Sequence, residues 1–468
     1  MDIDSPLDNR PVSAFSSVIP LPYRVIVLAG CGLLCWATNI HALQLLGIDL
    51  GRVLNVQGSS HLALPLTPNH SPRSTPEHNT LHHASIYSLF LAFVAFAGAN
   101  WLIFRALTHG DLLLIDRMRF IPASCLVIII LAVISPLNIL HKRERRLFLH
   151  SLKRCILAPL DQPVFFSDVI LADVLTSYAK VFGDLWVSSA VLLRGGSLVR
   201  MPAPAGFSEW MIPYMMSIPY AIRFRQCIVD YYATGRVSSK QLWNAAKYAT
   251  AFPVIFLSAA QRIASVEPVL QPGEEVDELV WFPEHPLFRL WLLCVVVNSL
   301  FSFWWDITND WGLTTLHRSS WIAVIEHPAP AHNNHSRTPS RNGSSQPDRP
   351  HNVVHEPRSS TSTFPTTHPW GLRTPLVLFQ DPVVYYLAIL LNLLLRFIWS
   401  LKLSSHLHNV AELESGIFLM EALELFRRWI WVFFRVEWEY IKQESGPQKV
   451  SPLHLPVEEL ELDMRESS

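Results

Sequence analysis

Four cations sit where the chain is otherwise apolar. Lys247 lies in NAAKYAT, Arg396 in LLLRFIWSLKL, and Arg427 with Arg428 in LELFRRWIWVFFRVEWEY. An arginine offers a rigid fork that matches the oxygens of a phosphate or carboxylate, and a lysine adds a compact charge. Acids are interleaved with them: Asp173, Glu424, and the pair Asp306 and Asp310 in WWDITNDWGL. Ionisable groups at membrane depth are costly and usually face a bundle interior or a watery path. Two readings stay open from spacing alone. The cations line a path for a small oxyanion, with the acids keeping the empty site near neutral. Or Arg396, Arg427 and Arg428 pair with Asp173, Asp306 and Glu424 and hold helices together. Asp173 and Lys180 are seven apart, which puts them on one face of a continuous helix. Arg435 and Glu437 fall near a span end and are expected to snorkel or pair locally. Asp168 and Asp184 read as span-end residues.

These residues need long apolar helices to carry them. Of 468 residues, 50% are hydrophobic and 16% charged, with 16 Trp and 25 Phe. Mean hydropathy is +0.25. A soluble domain of ordinary composition carries about 25% charge, so this chain has too little to coat a water-facing surface. A membrane span takes roughly 20 mainly apolar residues. Candidate spans are 22–47, 85–107, 119–140, 164–194, 208–230, 243–261, 286–306, 380–403 and 416–440. The expectation is an all-α, polytopic membrane protein of about nine transmembrane helices with no soluble domain.

The domains follow from the same pass. Residues 1–20 form a short polar N-terminus, and 21–140 hold three scaffold helices. Residues 141–441 hold the later spans, and 442–468 an acidic tail. Two stretches, 57–83 and 327–374, are rich in Ser, Pro, His and Asn and lack periodicity, so they read as disordered loops. The connector HKRERRLFLHSLKR after the third span should face the cytosol, as should the turn holding Arg223, Arg225, Arg236 and Lys240. The acidic 262–285 connector should be lumenal, which leaves the C-terminus cytosolic. The sequons at Asn69, Asn334 and Asn342 then stay unglycosylated. The acidic N-terminus has no basic region before its first apolar run, so no cleaved signal peptide is expected.

The exclusions are equally direct. Six cysteines and 20 histidines show no zinc-like spacing, so no metal or other cofactor is expected. A net charge of −1 gives no bias toward nucleic acid. There is no HExxH, no GxSxG and no protease-like pair of membrane aspartates, so the chain is not expected to be an enzyme.

Several strings together resemble the EXS family: FSDVILADVLTS (166–177), RFRQCIVDYYATGR (223–236), LWNAAKYAT (242–250), WWDITNDWGL (304–313), LLRFIWSLKLS (394–404) and LELFRRWIWVFFRVEWE (423–439). They occur in the family's order and cover most of 140–440. The resemblance implies an inorganic phosphate exporter whose pore is a bundle of six C-terminal helices within 141–441. It implies that Asp173, Lys247, Tyr248, Arg396, Arg427 and Arg428 coordinate phosphate, that Trp399 gates the path, and that Asp306 and Asp310 are the family's paired acids. With Glu424, read from its place one turn before Arg428, these acids are expected to line the pore or pair within it. Thr176 stands where phosphate-exporting members usually carry Asn, and its hydroxyl can still donate to a phosphate oxygen.

No stretch resembles the family's N-terminal SPX sensor. That layout is most similar to the ER-retention-defective branch, which implies a multi-pass protein of the Golgi or endoplasmic reticulum membrane. The branch serves retention of lumenal ER proteins and Golgi glycosylation. The function expected is phosphate movement from lumen to cytosol, with a homodimer within the family's range. The competing expectation is a non-transporting sorting factor whose cytosolic loops bind coat or adaptor proteins and recycle glycosyltransferases.

Overall fold

The computed structural model describes residues 14–54, 82–157, 164–198, 207–233, 235–236, 239–266, 286–315, 372–373, 375–398 and 410–445. Every regular element among them is helical. In chain order they are α1 (Ala14–Val18), α2 (Leu21–Leu45), α3 (Leu50–Val53), α4 (His83–Thr108), α5 (Leu112–Arg117), α6 (Phe120–Ile134), α7 (Lys142–Leu157), α8 (Phe166–Thr176), α9 (Ala179–Arg194), α10 (Phe207–Ala233), α11 (Lys240–Ala249), α12 (Ala251–Val266), α13 (Pro286–Trp305), α14 (Pro382–Arg396) and α15 (Val410–Ser445). The expected loops 57–83 and 327–374, the 267–285 part of the acidic connector, the three sequons and the tail beyond 445 lie outside the described residues, apart from 82, 83, 372 and 373.

Among the described residues, three helices are long and apolar enough to cross a membrane: Leu21–Leu45, His83–Thr108 and Pro286–Asp310. Helix α4, at 26 residues, spans about 39 Å at 1.5 Å per residue, against roughly 30 Å of bilayer hydrocarbon. Its outward side shows Leu91, Val94, Leu102 and Ile103 to the surroundings. A continuous apolar surface of that extent belongs against lipid. Helices α6 and α14 are apolar but shorter.

Long α15 is the organising element. It packs against α2, α14, α8 and the turn after α13, and α2 in turn packs on α4 and α9. The largest apolar core joins Ile40 and Leu43 of α2 to Tyr385 of α14 and Trp431, Phe434 and Val436 of α15. Trp311 and Leu313, from the WGL stretch, close it.

Several expected spans are not single rods. The 164–194 segment breaks between α8 and α9. There the amides of Ser177 and Tyr178 bond three residues back, to Val174 and Leu175, tightening and ending the helix. Asp173 and Lys180 therefore do not share one helix face, and Lys180 pairs with Asp184 and, at 3.9 Å, Glu421. The 243–261 segment divides at Thr250, between α11 and α12. Pro253 follows, and its ring removes the hydrogen bond that a continuous helix would make to Ala249. The basic 142–157 connector is itself a helix, α7.

Of the two acids expected at span ends, Asp168 does lie in the first turn of α8, buried, and takes both Nε and Nη2 of Arg154, each at 2.6 Å. Asp184 does not: it is buried within α9. Glu437 does not snorkel. It is fully buried; its Oε1 accepts from the amides of Val377 and Leu378 and the hydroxyl of Tyr385, and Arg373 lies 2.5 Å from Oε2. One carboxylate thus seats the segment leading into α14. Arg435 does pair locally, with Glu439 at 3.1 Å.

Gly312 adopts φ +66°, and a Cβ built there would run into the Trp438 ring. Only glycine meets both demands, left-handed backbone and contact with an indole. Gly312→Ala is expected to lower stability by more than about 1 kcal/mol, read as an earlier thermal unfolding midpoint in detergent, whereas Gly416→Ala, within α15 and meeting nothing within 4 Å, should not lower it and is expected to raise it slightly.

Candidate functional site

The site forms where α8, α10, α11, the end of α13, α14 and α15 meet. After α13 the chain makes a π-helical turn, Asp306–Asp310. The Trp311 amide reaches back five residues to Asp306. In an α-helix two acids four apart share one face. The wider turn sends them to different cations, and π-turns of this kind are often found at functional positions.

Asp306 is 1% exposed. Its Oδ2 accepts from Arg396 Nη2 at 2.6 Å, Arg427 Nη1 at 3.4 Å and Asn392 Nδ2 at 3.3 Å. Arg427 also holds Glu424 through Nε at 2.8 Å and Nη2 at 2.5 Å. Asp310 turns the other way, to Lys247 at 3.7 Å and Arg435 at 3.9 Å. The Lys247 ammonium lies over the rings of Tyr248, 4.4 Å away, and Trp305, 5.5 Å away. Aromatic faces are favourable surfaces for a cation that has left water.

Asp173 pairs with none of the three arginines named for it in the ion-pair reading. It pairs with Arg223 Nε at 2.9 Å and accepts from the Tyr248 hydroxyl at 2.5 Å. Arg223 also donates to Gln226 at 2.6 Å and stacks on Tyr248 at 5.0 Å. This arginine was expected in a cytosolic turn. It is instead buried inside α10, because the apolar run continues past it through Cys227, Ile228 and Val229. That continuation was the available signal. Asn392, a lone amide in LLNLLLR, was also missed; an isolated polar residue in an apolar run was its signal.

Arg428 is the exception among the four cations. It is buried, yet its guanidinium meets hydroxyls: Nε donates to Ser177 at 3.1 Å and Nη2 to Thr176 at 3.1 Å. The Trp431 ring lies 4.6 Å from it. Among the described residues no carboxylate forms an ion pair with Arg428. The nearby acids are held elsewhere, Glu424 by Arg427 and Ser177, and Asp173 by Arg223. The Thr176 hydroxyl donates to the Asp173 carbonyl at 2.7 Å and offers its lone pair to Arg428. Arg396 likewise keeps a buried Nε without a hydrogen-bond partner. Trp399 lies outside the described residues.

The ion-pair reading is therefore realised in part. Arg396, Arg427 and Lys247 have carboxylate partners, and Arg428 does not. Arg223, Lys247, Arg396, Arg427 and Arg428 face Asp173, Asp306, Asp310 and Glu424, which leaves one positive charge in excess. Among the described residues, no group of histidines, cysteines and acids could hold a metal ion.

The EXS family pattern matches residues 19–441. The chain belongs to the EXS family. Protein ERD1 homolog 1 of Schizosaccharomyces pombe is 26% identical over 435 residues, covering 92% of each chain. ERD1 homolog 2 of the same yeast is 25% identical over 442 residues, covering 90% of this chain and 96% of its own. Phosphate transporter PHO1 homolog 4 of Arabidopsis thaliana is 26% identical over 345 residues, 72% of this chain but 36% of that longer protein. All six strings that carried the resemblance lie inside the EXS match.

The Asp173–Arg223 pair gives a direct test. Asp173→Ala leaves a buried guanidinium uncompensated, an effect of about 3–5 kcal/mol. Thermal unfolding in detergent should show a large drop for Asp173→Ala and substantial recovery in Asp173→Ala/Arg223→Leu. A double variant no more stable than the single would show that the two side chains are not coupled.

Proposed function

We propose that this EXS protein carries inorganic phosphate across a membrane of the early secretory pathway, from lumen to cytosol. One observation carries the reading. Arg428 is a buried cation facing hydroxyls and an indole, with no carboxylate partner among the described residues. Burying a charge without neutralising it is strongly unfavourable, and a transient anion supplies the missing charge. Arg428 would hold the phosphate, with Arg396 offering its unpartnered Nε and Lys247 its ammonium. Thr176, Ser177 and Tyr248 supply hydroxyls around them.

Asp306, Asp310, Glu424 and Asp173 would act as stand-ins for the substrate. They hold the cations in place while the site is empty and compete with phosphate when it arrives. A site built this way binds weakly enough to release, which conduction requires. Trp399, three residues past Arg396, would gate the route. Direction follows the phosphate gradient and the membrane potential. Nucleotide-sugar use in glycosylation leaves phosphate in the lumen, and its return to the cytosol would relieve that load. The name of the Arabidopsis relative supports phosphate as the solute. The match to the two yeast homologues, over 90% or more of this chain, supports a protein of the ER-retention branch in the Golgi or endoplasmic reticulum. A cytosolic C-terminus rests instead on the basic residues of 142–154.

A second reading has its own support. Three of the four cations have carboxylate partners, which suits a static network in a sorting factor that moves nothing.

The two part on one assay. Phosphate flux into proteoliposomes, measured on protein that stays folded at the assay temperature, should fall at least tenfold in Arg428→Ala and Lys247→Ala. Arg428→Lys should keep part of the flux, having charge without the fork. Wild-type liposomes that carry no flux above empty ones would remove the transport reading and leave the sorting one.

A further inference from the structure

We propose that α7 is an interfacial helix that binds the anionic phospholipid headgroups of the leaflet on which it lies. The site described above uses none of its residues. Lys142, Arg146, His150 and Lys153 follow one another at steps of three or four, so they line one face of α7. Arg146, His150 and Lys153 are exposed. Lys142, Arg146 and Lys153 form no ion pair among the described residues. The helix's acid, Glu144, lies away from that row. Ile156, one turn past Lys153 and beside the row, is exposed at 49%, and Phe148, on the other side, at 45%. A basic face beside exposed apolar side chains is the pattern of a helix lying in the plane of a membrane surface.

A second observation fixes α7 at that level. The preceding α6 shows Val127, Ile128, Leu131 and Ile134 outward, and the link after it shows Leu137 and Ile139. This row of exposed apolar side chains runs on to Leu140, directly before α7. The junction is locked by Arg145, which is buried. Its Nη1 donates to the carbonyls of Ala132, Val133 (3.2 Å) and Ser135 (2.8 Å). Its Nη2 donates to Leu137 (2.9 Å) and Ile139 (2.8 Å), and its Nε to Leu140 (3.0 Å). One guanidinium thus gathers the unsatisfied carbonyls at the end of an apolar helix, where the hydrocarbon gives out. At its other end, α7 is tied to α8 by the Arg154–Asp168 pair. The remaining cations face outward at headgroup depth. Anionic phosphate diesters complement them, and a zwitterionic surface offers no net charge.

The test uses the full chain in detergent, titrated with short-chain phosphatidylserine, short-chain phosphatidylcholine or inorganic phosphate. The readout is amide hydrogen exchange over residues 142–157. Phosphatidylserine should slow exchange there, and the other two should not. Lys142→Gln/Arg146→Gln/Lys153→Gln should raise the half-saturating phosphatidylserine concentration by about fivefold per charge removed, roughly a hundredfold in all. Arg428→Ala should respond as the wild type does, which keeps this outcome separate from the fate of the transport reading. Equal protection by both lipids, protection by phosphate alone, no protection, or an unshifted triple variant would each overturn the proposal.

Discussion

The core of the molecule depends on keeping Asp306 charged and out of water. A carboxylate buried to 1% exposure persists only if its charge is met at close range. Arg396 of α14 and Arg427 of α15 meet it, with Asn392 filling the remaining gap. Three helices from distant parts of the sequence are thereby held at one point. The π-turn makes this possible, since it frees Asp310 to serve Lys247 instead of crowding the same arginines. The apolar core around Trp311 and Trp431 packs directly beside this junction.

Charge balance then gives the site its character. Pairing neutralises most of the cluster and leaves Arg428 among hydroxyls. Replacing such ion pairs by apolar groups often leaves stability unchanged or improved, so stability alone does not explain why so many charges are kept at this depth. On the transport reading proposed above, the retained groups would be a preorganised but exchangeable set. Each carboxylate holds its cation in position without using all of that cation's donors, as the unpartnered Nε of Arg396 shows.

Much of this was legible in the sequence. The depleted charge and long apolar runs gave an all-helical membrane protein. The spacing of Arg396, Arg427, Arg428 and Lys247 gave a cationic cluster, and WWDITNDWGL marked its acidic side. What spacing could not give was partner choice. Asp173 was as free to meet Arg428 as Arg223, and only the packing of α8 on α10 decides it. Helix interruptions were equally hidden at Ser177, where no proline or glycine announces the break. Glu437 looked like a span-end acid because nothing local tells that a segment some sixty residues earlier will donate two amides to it.

Asp173 and Thr176 stand in the last turn of α8, and Lys247 and Tyr248 in the last turn of α11. Both helices stop within three residues of these side chains and resume after a short joint. Each pair of residues therefore stands where a helix runs out of partners for its last carbonyls. Thr176 and Thr250 turn their hydroxyls back onto two of those carbonyls, of Asp173 and Lys247, at 2.7 Å each. The same two short side chains that finish the rods thus also fix the backbone of the residues that carry the charge.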